Sequence, residues 1–201
     1  MPVTDVFECA SVTLAACRAV LRRLTPDDLG RATPCAEFTV GEVGEHVVRS
    51  MVLLGSVAGA VSAPEPGSAP EPGSALEPGS AAGSLDERVA ATAEAALEAW
   101  RWRGLGGSVA VGRSTLAADL AVEIIPLELL VHGWDVARAT GARIEVAPEV
   151  AGYVLEQARS LVTPDKRGRS FAAEVPAGPS ATALERLIAF TGRDPAGGSS
   201  R

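Results

Sequence analysis

The chain has 201 residues, 47% of them hydrophobic, which is enough to bury the core of one domain. Its formal net charge is -7 without any cluster of Lys or Arg, so we expect neither a nucleic acid nor a membrane as partner. No stretch is long and apolar enough for a membrane span, and Asp5 lies where a signal peptide needs a basic region, so we expect a cytoplasmic protein.

The first helix is predicted over roughly residues 4 to 24, where apolar residues recur at alternating spacings of three and four. A capping-box pattern at residues 39–42, with Thr39 as N-cap, begins a second helix that runs to about residue 60. Between residues 63 and 83 the chain repeats Glu-Pro-Gly-Ser-Ala three times with slight variation. This composition predicts a flexible linker without chemistry, because it supplies turns and no apolar face.

A third helix is predicted from about residue 84 to residue 102, and Gly104 ends it. After a short extended turn, a long fourth helix is predicted from about Leu116 to Gly141. Pro126 lies inside this helix and removes one backbone donor, so we expect a kink at or just before that residue.

A fifth helix is predicted from about residue 148 to residue 161, and a second capping box at Thr182 begins a short helix that Gly192 closes. We expect residues 193–201 to form a disordered tail. No alternating strand pattern of useful length occurs. Residues 1–192 are therefore predicted to form one all-α domain, a four-helix bundle with extra C-terminal helices.

The chain has two histidines, and each follows a glutamate by four positions: Glu42 precedes His46, and Glu128 precedes His132. Residues four apart share a helix face, so Glu128 and His132 can reach one metal ion together. One histidine from a neighbouring helix would complete three protein ligands and leave a coordination position open, as in catalytic metal sites.

Two other interpretations fit the same spacing. His46 and His132 could be core histidines that hydrogen-bond to the backbone. Alternatively, both Glu-xxx-His pairs, with Glu42 included, could form a two-metal carboxylate site, although the capping box gives Glu42 a simpler role. The spacing alone leaves these alternatives open.

Two segments resemble the signature segments of a known family. The first is TPCAEFTV at residues 33–40, followed by EHVV at residues 45–48, and the second is ELLVHGWDVARATG at residues 128–141. Both are similar to those of the actinobacterial mycothiol-dependent maleylpyruvate isomerase N-terminal family, which belongs to the DinB-like superfamily. The segment LIAFTGRDP at residues 187–195 also resembles the tail of short, metal-binding members of that family.

The resemblance implies a DinB-like bundle whose metal ligands correspond to His46 on the second helix and to Glu128 and His132 on the fourth. It also implies zinc, or another divalent ion such as nickel, and the small thiol mycothiol as cofactor. The isomerase has a further C-terminal domain that helps form its active site. This chain has only roughly 40 residues after the fifth helix, so we do not expect maleylpyruvate isomerisation itself.

The function that these patterns predict is a metal-dependent, thiol-using transferase or isomerase-like enzyme that acts on a small electrophile. A Lewis-acidic ion lowers the pKa of a thiol and so provides a nucleophile at neutral pH. The alternative is a bundle that binds a metal or a ligand without catalysis, and a homodimer is left open.

Three further residues near these segments are candidates for the site. Asp135 is predicted to orient a ligand or to act as a base, or else to tie its helix to a neighbouring loop. Trp134 is predicted to contact the cofactor, with a core position as its alternative. Cys35 is one of three cysteines without CxxC spacing, and we expect a small buried loop residue there rather than a metal ligand.

Overall fold

The structure, a computed structural model, describes residues 5–35, 38–59, 83–112, 114–168 and 171–196. Its helices are α1 (Val6–Leu21), α2 (Val40–Gly59), α3 (Leu85–Arg103), α4 (Ala118–Val122), α5 (Ile124–Thr140), α6 (Pro148–Leu161) and α7 (Ala183–Phe190). Strands β1 (Ser108–Val111) and β2 (Ser114–Ala117) pair as a short antiparallel hairpin between α3 and α4. Single turns of 3-10 helix cover Pro26–Asp28 and Pro164–Lys166.

Four of the long helices form a bundle around one apolar core. Helix α2 packs against α3 and α5, and α1 packs against the same two helices. The core includes fully buried side chains from three of them, among them Met51 of α2, Trp100 of α3 and Leu129 of α5. The predicted all-α, DinB-like bundle is therefore confirmed, with the small hairpin as an addition.

The predicted fourth helix differs from the observed one. Leu116 lies in β2, and the helix is divided at Glu123 into the five-residue α4 and the longer α5. Pro126 has no N–H and cannot donate to the carbonyl of Val122 four residues earlier, and its ring would crowd that carbonyl if one regular helix ran through both residues. The division falls three residues before Pro126, so Glu128 lies in the first part of α5.

The C-terminal helices lie beside the bundle. Helix α6 has the predicted bounds, and it contacts α7, α1 and α5. Helix α7 begins with the predicted capping box, because the Thr182 N–H and hydroxyl donate to Glu185 Oε2 at 2.7 and 2.9 Å. Most of the predicted linker and residues 197–201 of the predicted tail lie outside the described residues. Among the helices that the structure describes, none is both long enough and apolar enough to cross a membrane.

Candidate metal centre

Helix α2 carries His46, and contacts at its amino end fix its position. The Thr39 N–H and hydroxyl donate to Glu42 Oε2, both at 2.8 Å, and the Glu42 N–H donates to Thr39 Oγ1 at 3.4 Å. The predicted capping box therefore forms. One residue before His46, Glu45 accepts a hydrogen bond of 2.6 Å from Arg88 of α3, which ties the two helices together.

Helix α5 carries Glu128 and His132, and a glycine allows it to approach α1 closely. A Cβ atom on Gly133 would lie 3.3 Å from the Cα of Cys17 and 2.8 Å from the Cδ1 of Ile144. To admit a side chain at this position, the Ile144 side chain would have to turn away and the contact between α5 and α1 would have to widen by a few tenths of an ångström. Gly133 directly follows His132, so the close contact with α1 lies next to this ligand in the sequence.

The three predicted ligands converge. Glu128 Oε2 lies 3.0 Å from His46 Nε2 and 3.6 Å from His132 Nε2. The centroids of the two imidazole rings are 4.9 Å apart, and the rings are inclined at 76°. One ligand atom from each of the three residues lies within 4.8 Å of the other two, so the group could hold a metal ion.

The second nitrogen of His132 is paired with a buried carboxylate. His132 Nδ1 lies 3.0 Å from Asp135 Oδ2, and the side chain of Asp135 is completely buried. Arg193 donates to the same carboxylate from Nε to Oδ1 at 2.7 Å and from Nη2 to Oδ2 at 2.8 Å. Asp135 therefore accepts from both partners, and Nε2 of His132 is the nitrogen that faces Glu128.

The electrostatics of this group favour an ionised glutamate. Burial alone would raise the pKa of Glu128, but the adjacent His132 and the hydrogen bond from His46 outweigh it and lower the pKa to about 2. Burial would likewise lower the pKa of Arg193, but its hydrogen bonds to Asp135 and the charge of that residue raise it above its ordinary value. The site therefore presents an anionic oxygen and two imidazole nitrogens, which is a common donor set for zinc.

A cavity of about 480 Å³ opens over the three residues. Besides the triad, its polar lining comes from Cys35, Ser50 and Arg193. Its apolar lining includes Phe38, Leu53, Leu54, Leu127, Val131 and Phe171. The ring of Phe38 also stacks on His46, with 5.5 Å between centroids and an interplanar angle of 26°. The cavity thus has a polar end at the triad and apolar walls.

A second group of possible ligands shares His132. Ligand atoms of Cys35, His132 and Asp135 lie within 4.8 Å of one another. A cation at this point would have to displace Arg193, which already compensates the charge of Asp135 through two hydrogen bonds. Among the described residues no arginine or lysine forms an ion pair with Glu128, so the group of His46, Glu128 and His132 is the better candidate.

The other predicted residues lie apart from the triad. Glu42 is exposed and engaged in the capping box, so it does not join His46 in a two-metal site. Trp134 is 7% exposed and lines a different cavity, of about 540 Å³, where the guanidinium of Arg138 lies 5.8 Å from the centroid of its ring. Cys35 is partly buried and lines the cavity over the triad.

The sequence does not predict Arg193, Phe38 or Phe171 as site residues. The sequence predicts a tail that begins at Arg193, yet the side chain of this residue is only 10% exposed and contacts Asp135. The sequence shows that Arg193 follows a helix closed by a glycine, but it does not show that the side chain contacts Asp135. Phe38 lies within a segment that the resemblance had identified, whereas no sequence signal marks Phe171.

The fold and the site together define a helical bundle with a candidate metal centre between its second and fourth long helices. The chain belongs to the mycothiol maleylpyruvate isomerase N-terminal domain family, whose profile matches residues 12–137. Two uncharacterised proteins, one from each of two strains of Mycobacterium tuberculosis, are 32% identical to it over 181 residues, which cover 87% of this chain and 90% of each relative. No solved structure matches the chain significantly.

Proposed function

We propose that this protein binds one divalent metal ion through His46, Glu128 and His132 and uses a small thiol such as mycothiol to attack a small electrophile. The observation that supports the proposal is the convergence of these three side chains at the polar end of a cavity. The family supports the thiol, because its description names mycothiol.

The donor set fits a divalent ion. Two imidazole nitrogens and one carboxylate oxygen suit zinc, and imidazole also suits nickel. Glu128 is largely buried and ionised, so a cation would compensate its charge. His132 already pairs its Nδ1 with a carboxylate, the arrangement that commonly orients metal-binding histidines.

When bound, such an ion supplies Lewis acidity, which lowers the pKa of a thiol so that a nucleophile is available at neutral pH. The triad would hold the ion, and three protein ligands would leave a coordination position open for a guest. Asp135 would orient His132 rather than act as a base, because both of its oxygens are bonded and its side chain is completely buried.

The cavity favours a small substrate with an apolar body. Its volume of about 480 Å³ lies within the range of ordinary ligand pockets. In the proposed transfer, the thiol sulfur forms a bond to the electrophilic carbon, the leaving group departs with its electron pair, and the thiol proton goes to solvent. The apolar side chains around the triad would limit the access of competing water.

Metal content and thermal stability test the proposal. Protein purified without chelator should contain about one divalent ion per chain, as expected for one three-ligand site. Mycothiol should raise the melting temperature of the metal-loaded protein and leave that of the chelator-treated protein unchanged. A chromogenic aryl halide then serves as test electrophile, with the released halide measured in the presence and absence of mycothiol.

The matched control is His132→Ala, which removes one ligand and should abolish both the metal content and the effect of mycothiol. Full metal retention in His132→Ala would exclude the triad. If the protein binds metal but mycothiol leaves its melting temperature unchanged, the result favours the alternative of a non-catalytic metal-binding bundle.

A further inference from the structure

Arg193 connects the C-terminal segment to the candidate metal centre. It lies outside residues 12–137, the part of the chain that the family profile matches. Its guanidinium makes two hydrogen bonds to Asp135, which lies 58 positions earlier in the chain. The two partners are almost completely buried, with side-chain exposures of 10% for Arg193 and 0% for Asp135.

The backbone after α7 brings Arg193 to this position. Gly192 has φ +88°, and the Arg193 N–H donates to the Ile188 carbonyl at 3.1 Å, which closes the end of the helix. Arg167 fixes the same region separately, because its Nη1 donates to the carbonyls of Ala172 and Phe190, both at 2.9 Å. Arg167 therefore contacts the C-terminal segment without contacting Asp135.

The two hydrogen bonds from Arg193 hold the carboxylate of Asp135 in the orientation in which it accepts a hydrogen bond from His132. A carboxylate that pairs with a guanidinium through both oxygens is held in one orientation. Its Oδ2 then accepts the Nδ1–H of His132 at 3.0 Å. In the neutral imidazole this arrangement places the proton on Nδ1 and leaves the lone pair of Nε2 on the side of Glu128 and His46, where a metal ion would bind.

The geometry points to Arg193 as a positioning residue of the metal centre, which holds Asp135 so that His132 keeps the tautomer and ring orientation that ligation through Nε2 requires. The inference rests on the proposed metal site. The proposed ligands all lie on α2 and α5, and Arg193 brings the segment after α7 into the centre as a third part of the fold. Arg193 also lines the cavity, so this segment contributes to the wall beside the triad.

The full chain with Arg193→Met tests the inference, because methionine fills much of the space of arginine but donates no hydrogen bond. We expect Co²⁺, used as the probe ion, to bind this variant roughly 10- to 100-fold more weakly than the wild type, as is typical when the partner of a ligating histidine is lost. In chelator-treated protein, the ¹⁵N signals of His132 should change from the Nδ1–H tautomer to a mixture.

Arg167→Met is the matched control, since it removes contacts of the same C-terminal segment and leaves Asp135 untouched. We expect it to lower the melting temperature while the affinity for Co²⁺ stays within about threefold of the wild type. This comparison separates positioning of His132 from mere attachment of the segment to the bundle.

Wild-type affinity for Co²⁺ in Arg193→Met would overturn the inference, whatever happens to its melting temperature. If the wild-type protein binds no Co²⁺, the proposed function fails, but the tautomer of His132 still decides the inference. An unchanged tautomer in Arg193→Met overturns it, and a changed tautomer supports it. If Arg193→Met does not fold, Arg193→Gln is subjected to the same measurements with the same criteria.

Discussion

Glu128 Oε2 lies 3.0 Å from His46 Nε2, although the two residues are 82 positions apart in the chain. The contact joins α5 to α2 at the polar end of the cavity, and the side chain of Glu128 is only 17% exposed. A buried carboxylate needs compensating partners, and here these are two nearby imidazoles together with an electrostatic interaction with Arg193.

Glu128→Gln should remove most of the metal affinity while the fold is retained. Glutamine has nearly the same shape, so the packing of α5 should be maintained, but it lacks the anionic oxygen. We expect the affinity for Zn²⁺ to fall by roughly two orders of magnitude or more, because one of three ligands is lost. Calorimetric titration of chelator-treated protein measures the affinity, and circular dichroism checks the helical content.

Glu42→Gln is the control for this experiment, since Glu42 belongs to the other Glu-xxx-His pair and lies on α2. Glutamine is compatible with a capping box, so neither the fold nor the affinity for Zn²⁺ should change much. Equal loss of affinity in both variants would mean that Glu42 also acts at the site, contrary to its position in the capping box.

The three cysteines should differ in reactivity. Burial raises the pKa of Cys9 and of Cys17 to about 12, and nearby Glu123 and Glu8 add to the effect at Cys9. Cys35 is partly exposed and lines the cavity. Because alkylation requires an accessible thiolate, we expect iodoacetamide at about pH 8 to modify Cys35 and to leave the two others largely unmodified.

Mass spectrometry of peptides after labelling identifies the modified residues. Zn²⁺ should slow the modification of Cys35, because bound metal would occupy the cavity beside it. As controls, Cys35→Ser should show little labelling when folded, and all three cysteines of the wild type should react in denaturant. Labelling of Cys17 as fast as that of Cys35 in the folded protein would contradict the prediction.

A buried glutamate at the junction of α4 and α5 should make stability depend on pH. Glu123 is 6% exposed, and its Oε1 accepts a short hydrogen bond from the Tyr153 hydroxyl. Burial raises the pKa of Glu123 to about 7, the hydrogen bond from Tyr153 opposes this increase, and Asp119 and Asp5 add to it. Cys9 of α1 also interacts electrostatically with this glutamate.

The sign of the effect follows from the higher pKa in the folded state. Between the unfolded value of about 4.5 and the folded value of about 7, the native protein binds the proton more tightly than the unfolded chain. The free energy of unfolding should therefore fall as pH rises through this range, by up to about 3 kcal/mol from this group. Glu123→Gln cannot ionise and should lose this dependence, which makes it more stable than the wild type at pH 8.

Urea denaturation of both proteins between pH 5 and pH 8 measures this difference. The exposed Glu98, changed to Gln, is the control, and its pH dependence should follow that of the wild type. If the free energy of unfolding depends on pH in the same way in Glu123→Gln and in the wild type, the pKa of Glu123 is the same in the folded and unfolded states.

The fold could be predicted from the sequence where local signals determine structure. Capping boxes at Thr39 and Thr182 and the proline at residue 148 fix helix starts through neighbours within one turn, and the structure has those starts. The sequence predicts a break in the fourth helix at or just before Pro126, and the structure has it at Glu123. Pro126 acts within its own helical turn, so its effect can be predicted locally. Leu116 lies in a strand because β2 pairs with β1, and this pairing is not a local signal.

The candidate site could be predicted only in part. The spacing of Glu128 and His132 fixed two donors on one helix face, and the resemblance to a family supplied His46 as the third. The pairing of Arg193 with Asp135 had no comparable signal, because it depends on how α7 packs and on the turn at Gly192. Trp134 could not be placed from the sequence for a similar reason. The direction of its side chain depends on the rotation of α5 within the bundle, and its proximity to His132 in the sequence does not determine it.

Gly192→Ala should destabilise the protein and disturb the position of Arg193. At φ +88° a residue with a side chain is strained, and a Cβ atom there would lie 2.6 Å from the Cβ of Ala172 and 2.9 Å from its carbonyl carbon. Backbone cannot move aside as a flexible side chain can. We expect the free energy of unfolding to fall by about 1–3 kcal/mol, as measured by urea denaturation.

Gly178→Ala is the matched control, because Gly178 precedes the same helix, is exposed, and would have no atom within 4 Å of an added Cβ. Its stability should stay within about 0.5 kcal/mol of the wild type. Since Arg193 directly follows Gly192, the affinity for Zn²⁺ should also fall in Gly192→Ala and remain unchanged in Gly178→Ala. If Gly192→Ala is as stable as Gly178→Ala, the backbone after α7 can adopt another conformation, and the turn at Gly192 does not fix the position of Arg193.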